Sequence, residues 1–185
     1  MEASTVALET DSLTASGVAI GTDPLPYELR YELAAADGFV TRILTAESRG
    51  DGWHRGIELR HEGTGGWAVV AEGLGEPGLP AAGGDPAAVT GALDCDLGGS
   101  PLTNTLPVLR HGLLDGGQDV DVDTAWVSVP DLGVHRSEQR YRFLESRQGG
   151  AVIRFELRDG TFSADLELDA DGFVVSYPGL ATLIG

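Results

Sequence analysis

The chain has 185 residues, 42% of them hydrophobic, with 27 glycines, one cysteine and a formal net charge of −17. This suits one domain over residues 1–185 with a sizeable core, and the acidity argues against nucleic acid or an anionic membrane surface as partner. Cys95 alone excludes an intrachain disulfide and a cysteine-rich metal site, while the lack of a basic-then-apolar N-terminus or an apolar run of roughly 18 residues makes the expected protein cytoplasmic and not membrane-spanning.

In chain order the signals are strands and turns. Residues 1–15 are polar and mixed, a short first strand or a frayed end, and Asp23-Pro24 marks a turn. Tyr27, Leu29, Tyr31 and Leu33 alternate with Glu28, Arg30 and Glu32, giving a strand with one apolar and one charged face. Asp37-Gly38 signals a hairpin, and residues 39–46 return. Asp51-Gly52 leads to a strand carrying Trp53, Ile57 and Leu59 on one face; residues 63–66 turn back into a partner at 67–71. Residues 73–91, rich in Gly, Pro and Ala, predict a long loop. Leu109 to Leu114 is ambiguous.

Asp119, Asp121 and Asp123 alternate with Val120 and Val122 in a strand that carries Trp126. They imitate a calcium loop, but Thr124 and Pro130 stand where it needs glycine and glutamate, so a solvated strand face is the better reading. A four-strand meander closes the chain. Its Asp159-Gly160 reads as a two-residue type I′ turn that places Phe155 opposite Ala164 and Arg154 opposite Asp165. No segment shows helical periodicity over about 11 residues. The fold expected is all-β and antiparallel, with about ten to thirteen strands and little helix. Ala-Asp-Gly-Phe-Val recurs at 36–40 and 170–174; either two hairpins converge on one turn chemistry, or a β-unit is duplicated on either side of the centre.

That centre is residues 94–108, with two acids, two prolines, an asparagine and several hydroxyls. Asp94 and Asp96 would share a face of a strand, close enough to hold a divalent cation or to split their pKa values. The stronger reading is structural, the carboxylates accepting hydrogen bonds from nearby backbone. Asn104 suits a backbone bend or a ligand hydroxyl. Cys95 reads as a small core residue before a nucleophile. His54, His61, His111 and His135 show no zinc spacing, and no nucleophile elbow, phosphate loop or dinucleotide fingerprint occurs. No cofactor and no metal is assigned. Arg140 and Arg142 either pair with the central acids or stay on the surface.

Three ordered blocks carry a family resemblance. Asp94, Asp96, Leu97, Ser100, Pro101, Thr103, Asn104, Thr105, Leu106 and Pro107 match an Asp-x-Asp-Leu, Ser/Thr-Pro-x-Thr-Asn-Thr-Leu-Pro motif; Gln139-Arg140-Tyr141 and the run from Asp171 to Leu180 follow. In these the chain resembles the bacterial "putative glycolipid-binding" family over roughly residues 17–181. Leu109, Gly99 and the residues after Leu180 depart from the family pattern. The resemblance implies a spiral β-roll or half-open barrel similar to the lipoprotein localisation factors, and a glycolipid or other amphiphile held in the concavity of a curved sheet. Asp94, Asp96, Thr103, Asn104, Arg140, Tyr141, Tyr177, Trp53 and Trp67 are the candidate ligand-binding residues, with Tyr27, Tyr31, Phe155 and Phe162 as further lining. The alternatives are a hydrolase or transferase that acts on a glycan or lipid headgroup through Asp94 and Asp96, and a non-catalytic homo-oligomeric interaction module.

Overall fold

The computed structural model describes residues 1–184. It contains thirteen strands in two sheets and one short helix. The first sheet is an antiparallel meander of β1 (Glu2–Leu8), β2 (Leu13–Gly21), β3 (Tyr27–Ala36), β4 (Val40–Gly50), β5 (Trp53–His61) and β6 (Trp67–Leu74), curled into a half-barrel. Alternation decides its faces. The register lines Ala15, Leu33, Leu44, Leu59 and Val69 in one row across five strands. Arg30, Glu32 and Glu47, one step away, are exposed.

The second sheet runs β13 (Ala181–Thr182), β12 (Val174–Tyr177), β11 (Ser163–Asp169), β10 (Gly150–Leu157), β9 (Val134–Arg147), β8 (Val120–Val127) and β7 (Asp94–Leu97). All its pairs are antiparallel except β7 with β8. The fully antiparallel expectation is corrected there. A parallel pair needs a long crossover. Residues 98–119 supply it through a tight 3-10 turn (Pro101–Asn104), helix α1 (Thr105–Arg110) and a second tight turn (Leu113–Asp115). At six residues α1 is too short for a periodic signal, which is why it was invisible in the sequence.

At the β7–β8 end the sheet is buried on both faces. Cys95, Leu97, Ala125, Val127 and Val134 join the core of the first sheet, whereas Val122, Tyr141, Ile153 and Phe155 form a second core against Val108 and Leu113. The chain therefore rolls inward: the half-barrel covers one side of the second sheet's edge, and that sheet bends its other side around α1. This is the all-β spiral roll expected. The loop at 73–91 is shorter than expected, because β6 runs to Leu74 and Pro86–Val89 forms a 3-10 turn that Asp85 caps through the Ala87 N–H.

The Arg154–Asp165 and Phe155–Ala164 pairings are found, the first as a two-bond fork of 2.7 and 3.0 Å. The turn that sets them is not type I′. Positive φ is confined to Gly160, and Leu157 N donates to Phe162 O across a four-residue loop. The two Ala-Asp-Gly-Phe-Val tips also differ. Asp37, Gly38 and Phe39 all take positive φ, but only Gly172 does so in the second tip. Their common feature is where they dock. Arg110 Nη1 donates to Phe39 O at 3.3 Å, and Thr105 Oγ1 donates to Gly172 O at 3.1 Å. The two ends of α1 thus hold one hairpin from each sheet. Gly172 takes a φ of +86°, which favours glycine there, and a Cβ at that position would press on the Leu109 side chain, 2.9 Å from Cδ2.

Burial of α1 outweighs surface pairing in holding this arrangement. Leu106 is fully buried, and Leu106→Ala should cost about 2–5 kcal/mol in urea denaturation. Arg154→Ala, which removes an exposed ion pair, should cost less than about 1 kcal/mol.

Candidate functional site

Strand β7 sorts the central residues by alternation. Its parallel register with Thr124, Ala125, Trp126 and Val127 sends Cys95 and Leu97 towards the first sheet. Asp94 and Asp96 turn to the concave side of the second. Thr41 ties the strand to the half-barrel: Thr41 N donates to Leu93 O, and Cys95 N donates to Thr41 Oγ1 at 2.9 Å. Burial raises the Cys95 thiol to about 12, which removes it as a nucleophile.

The two carboxylates have different surroundings. Asp94 is 1% exposed and held by both terminal nitrogens of Arg110, Nη1 to Oδ1 at 2.6 Å and Nη2 to Oδ2. Burial pushes its carboxyl up from the ordinary value, and the Arg110 hydrogen bonds and charge pull it back. Because a guanidinium stays protonated, a neutral Asp94 would strand a largely buried cation. Asp96 has no cationic partner. Its Oδ1 accepts from Thr103 Oγ1 at 2.9 Å and its Oδ2 from Gln139 Nε2 at 2.6 Å. Burial pushes this carboxyl up, the bonds from Gln139 and Thr103 oppose the shift, and the charge of Asp94 adds to it.

Asp96 is the end of a directed chain of hydrogen bonds. Asn104 Nδ2 donates to Tyr141 Oη at 2.9 Å, Tyr141 Oη donates to Gln139 Oε1 at 3.0 Å, and Gln139 donates to Asp96. Leu97 N closes the turn onto Thr103 Oγ1. Each side chain is oriented by the next, so Asp96, Asn104 and Gln139 form a preorganised polar wall. Glu2 extends the ties to the N-terminus, accepting from Tyr31 Oη at 2.5 Å and Ser100 Oγ at 2.7 Å.

That wall lines a cavity of about 630 Å³ on the concave side of the second sheet. Trp126, His135, Phe155 and Tyr177 supply aromatic surface, Ser137 and Ser100 add hydroxyls, and Leu157 and Leu180 add apolar surface. Leu180 is exposed, as are Leu183 and Ile184 beyond it. A larger groove of about 800 Å³ crosses the first sheet, but Arg30, Glu32, Glu47, Glu58 and Glu72 are among its lining residues, which makes it a charged surface. The apolar face of the half-barrel is filled by the protein's own core.

The candidate residues distribute unevenly over this geometry. Asp96, Asn104 and Tyr177 line the cavity; Thr103 and Tyr141 stand behind it and orient those that do. Asp94 is closed off by Arg110. Arg140 lies on the opposite face of β9, forked to Asp121, and Arg142 pairs with Asp119 and Glu156, so neither meets the central acids. Trp53 and Trp67 are buried in the half-barrel, Trp67 donating to Ala92 O at 3.1 Å. Phe155 lines the cavity, whereas Tyr27 packs on the first core and Tyr31 reaches Glu2. Trp126, His135 and Ser137 were missed. Two registers bring them together: β7–β8 sets Trp126 beside Asp96, and β8–β9 sets His135 opposite Trp126 and Ser137 opposite Thr124. Among the described residues no group of three or more His, Cys, Asp or Glu side chains is placed to hold a metal ion, and no helix is long and apolar enough to cross a membrane.

A family model described as "Putative glycolipid-binding" matches residues 1–182. A crystal structure of a DUF1089 family protein from Pseudomonas aeruginosa, at 1.80 Å resolution, is similar in fold, with a TM-score of 0.74 and 26% identity over 99% of this chain and 92% of that one. No curated protein matches the chain.

Two measurements separate the roles of the acids. Arg110→Met leaves Asp94 buried without a partner and should cost about 3–5 kcal/mol. For Asp96, a folded pKa above the unfolded 3.8 means that the folded state binds more protons, so its contribution to stability is flat below 3.8 and falls as pH rises through the interval above it. The stability of the unmodified protein relative to Asp96→Asn should therefore decline as pH is raised from 3.8, followed by urea titration. A difference that grows with pH means instead that Gln139 and Thr103 hold the carboxyl low.

Proposed function

The chain belongs to the putative glycolipid-binding family, and on that footing we propose that the cavity on the second sheet receives the polar headgroup of a glycolipid-like amphiphile. The observation that carries this reading is the composition of the walls. Sugar rings present hydroxyls around their edges and patches of C–H on their faces. Recognition needs fixed amide and carboxylate groups for the first and aromatic surface for the second. Asp96, Asn104 and Gln139 are the fixed polar groups, while Trp126, Phe155 and Tyr177 are the aromatic ones. The volume, about 630 Å³, falls in the range of small-molecule sites. Leu157 and Leu180 give an attached alkyl chain an apolar exit.

Thr103 and Tyr141 then act by holding Asp96 and Asn104 in place, and Asp94 acts by holding Arg110 and the helix. The role in this reading is binding, in the cytoplasm, without a catalytic step. An enzyme that used both carboxylates would need both to open on a cleft, and the Arg110 fork over Asp94 favours binding over that alternative.

An alkyl glycoside below its micelle concentration should change the fluorescence of Trp126 saturably, leaving the buried Trp53 and Trp67 silent. Trp126→Phe should remove the signal. Asn104→Ala, followed by calorimetry, should weaken binding about tenfold, equivalent to about 1.4 kcal/mol. Saturable binding unaffected by either change places the ligand elsewhere; no binding by any alkyl glycoside ends the reading.

A further inference from the structure

Arg55 on β5 differs from every other arginine in the chain. The others all pair with a carboxylate. Arg55 has none, although acidic residues outnumber arginines 29 to 12. It is 7% exposed and faces the inside of the half-barrel. Its Nη1 donates to His54 O at 2.9 Å and to Leu74 O at 3.2 Å. Its Nε is buried with no partner, and no acceptor among the described residues reaches Nη2. Directly across the β4–β5 pairing stands Ser48, fully buried, its Oγ also without a partner.

A guanidinium remains charged when buried, and backbone carbonyls satisfy its hydrogen bonds without neutralising it. The edge left free, Nε with Nη2, is the one by which Arg140 and Arg154 grip Asp121 and Asp165 in this same molecule. Arg55 opens on a pocket of about 330 Å³ bounded by Gly73, Gly75, Ala81 and Ala82. A Cβ at position 73 would stand 3.1 Å from Nη1 and 3.2 Å from Cδ, so glycine leaves room at the guanidinium. The backbone N–H groups of Gly75, Ala81 and Ala82 donate to no backbone carbonyl among the described residues. Glu72, on the same wall, is the one carboxylate lining the pocket, and it makes no ion pair with Arg55.

We propose that this pocket binds a single oxyanionic group, a phosphate or a carboxylate, with the Arg55 guanidinium as its charged contact. The site lies on the first sheet and stands independently of the cavity on the second. The selectivity follows from charge: in a chain this acidic only a locally unpaired cation attracts an anion, and Glu72 limits the affinity.

The test is calorimetric titration of the full chain with methyl phosphate and with acetate. Saturable binding of either is expected. Arg55→Gln should weaken it about tenfold or more, with the alkyl glycoside response at Trp126 unchanged. Glu72→Gln should tighten it about threefold. Co-sedimentation with phosphatidylglycerol vesicles over phosphatidylcholine vesicles, lost in Arg55→Gln, identifies the anion as a lipid headgroup. Binding of methyl phosphate without such co-sedimentation identifies a free small molecule. If neither probe binds saturably, or if Arg55→Gln binds as well as the unmodified protein, the proposal is overturned. Should Arg55→Gln fail to fold, Glu72→Gln decides: tighter binding supports the site, and unchanged affinity overturns it.

Discussion

A carboxylate as buried as Asp94 survives in a folded protein only if a cation and its hydrogen bonds replace the water it has lost. Arg110 does this, and its position at the end of α1 makes the ion pair a geometric constraint as well as an electrostatic one. The strand that carries Asp94 and the helix that carries Arg110 are joined through the tight turn at Pro101–Asn104. Fixing the pair therefore fixes the crossover. The same guanidinium reaches Phe39 O, so the half-barrel's hairpin is positioned by the residue that neutralises Asp94. Thr105, at the other end of the helix, does the equivalent for the hairpin at Gly172. Six residues of helix thus connect both sheets.

Strand β7 converts that constraint into one wall of the cavity. Because successive side chains point to opposite faces, four residues serve two environments. Cys95 and Leu97 close the core of the half-barrel; Asp94 and Asp96 face the concave side of the second sheet. A register shift of one residue would bury two unpaired carboxylates against the half-barrel, so the register is strongly specified. With it specified, Asp96 lies against Gln139, and the chain of hydrogen bonds from Asn104 follows.

Much of this was legible from residues alone where the signal is local. Alternation in Tyr27 to Leu33 and in Val120 to Asp123 gave strands and faces, and the register around Asp159-Gly160 came out as expected even though the turn type did not, because a two-residue and a four-residue reading of that loop align the same partners. What stayed hidden was non-local. The parallel pairing of β7 with β8 leaves no mark on either strand, and Trp126 is a cavity residue only through that pairing. The roles of Arg110 and Arg140 were equally hidden: both are arginines near polar runs, and only the fold places one beneath Asp94 and the other on the outer face with Asp121. Trp53 and Trp67 looked like lining residues because large aromatics suit both a core and a cavity, and in the half-barrel both are buried, Trp67 within its apolar core.

The central stretch is dense in polar residues because it is a buried junction, and a buried junction between sheets must satisfy every donor and acceptor it contains. That demand accounts for Asp94, Thr103 and Thr105, each spent on a neighbour. It does not account for the open side of Asp96 and Asn104, whose outward surfaces meet aromatic rings across a cavity instead of closing on more protein. A junction alone would be packed shut there. Buried structural positions and cavity-facing positions therefore divide along a single run of eleven residues, 94–104, according to which side of β7 and its following turn each side chain takes.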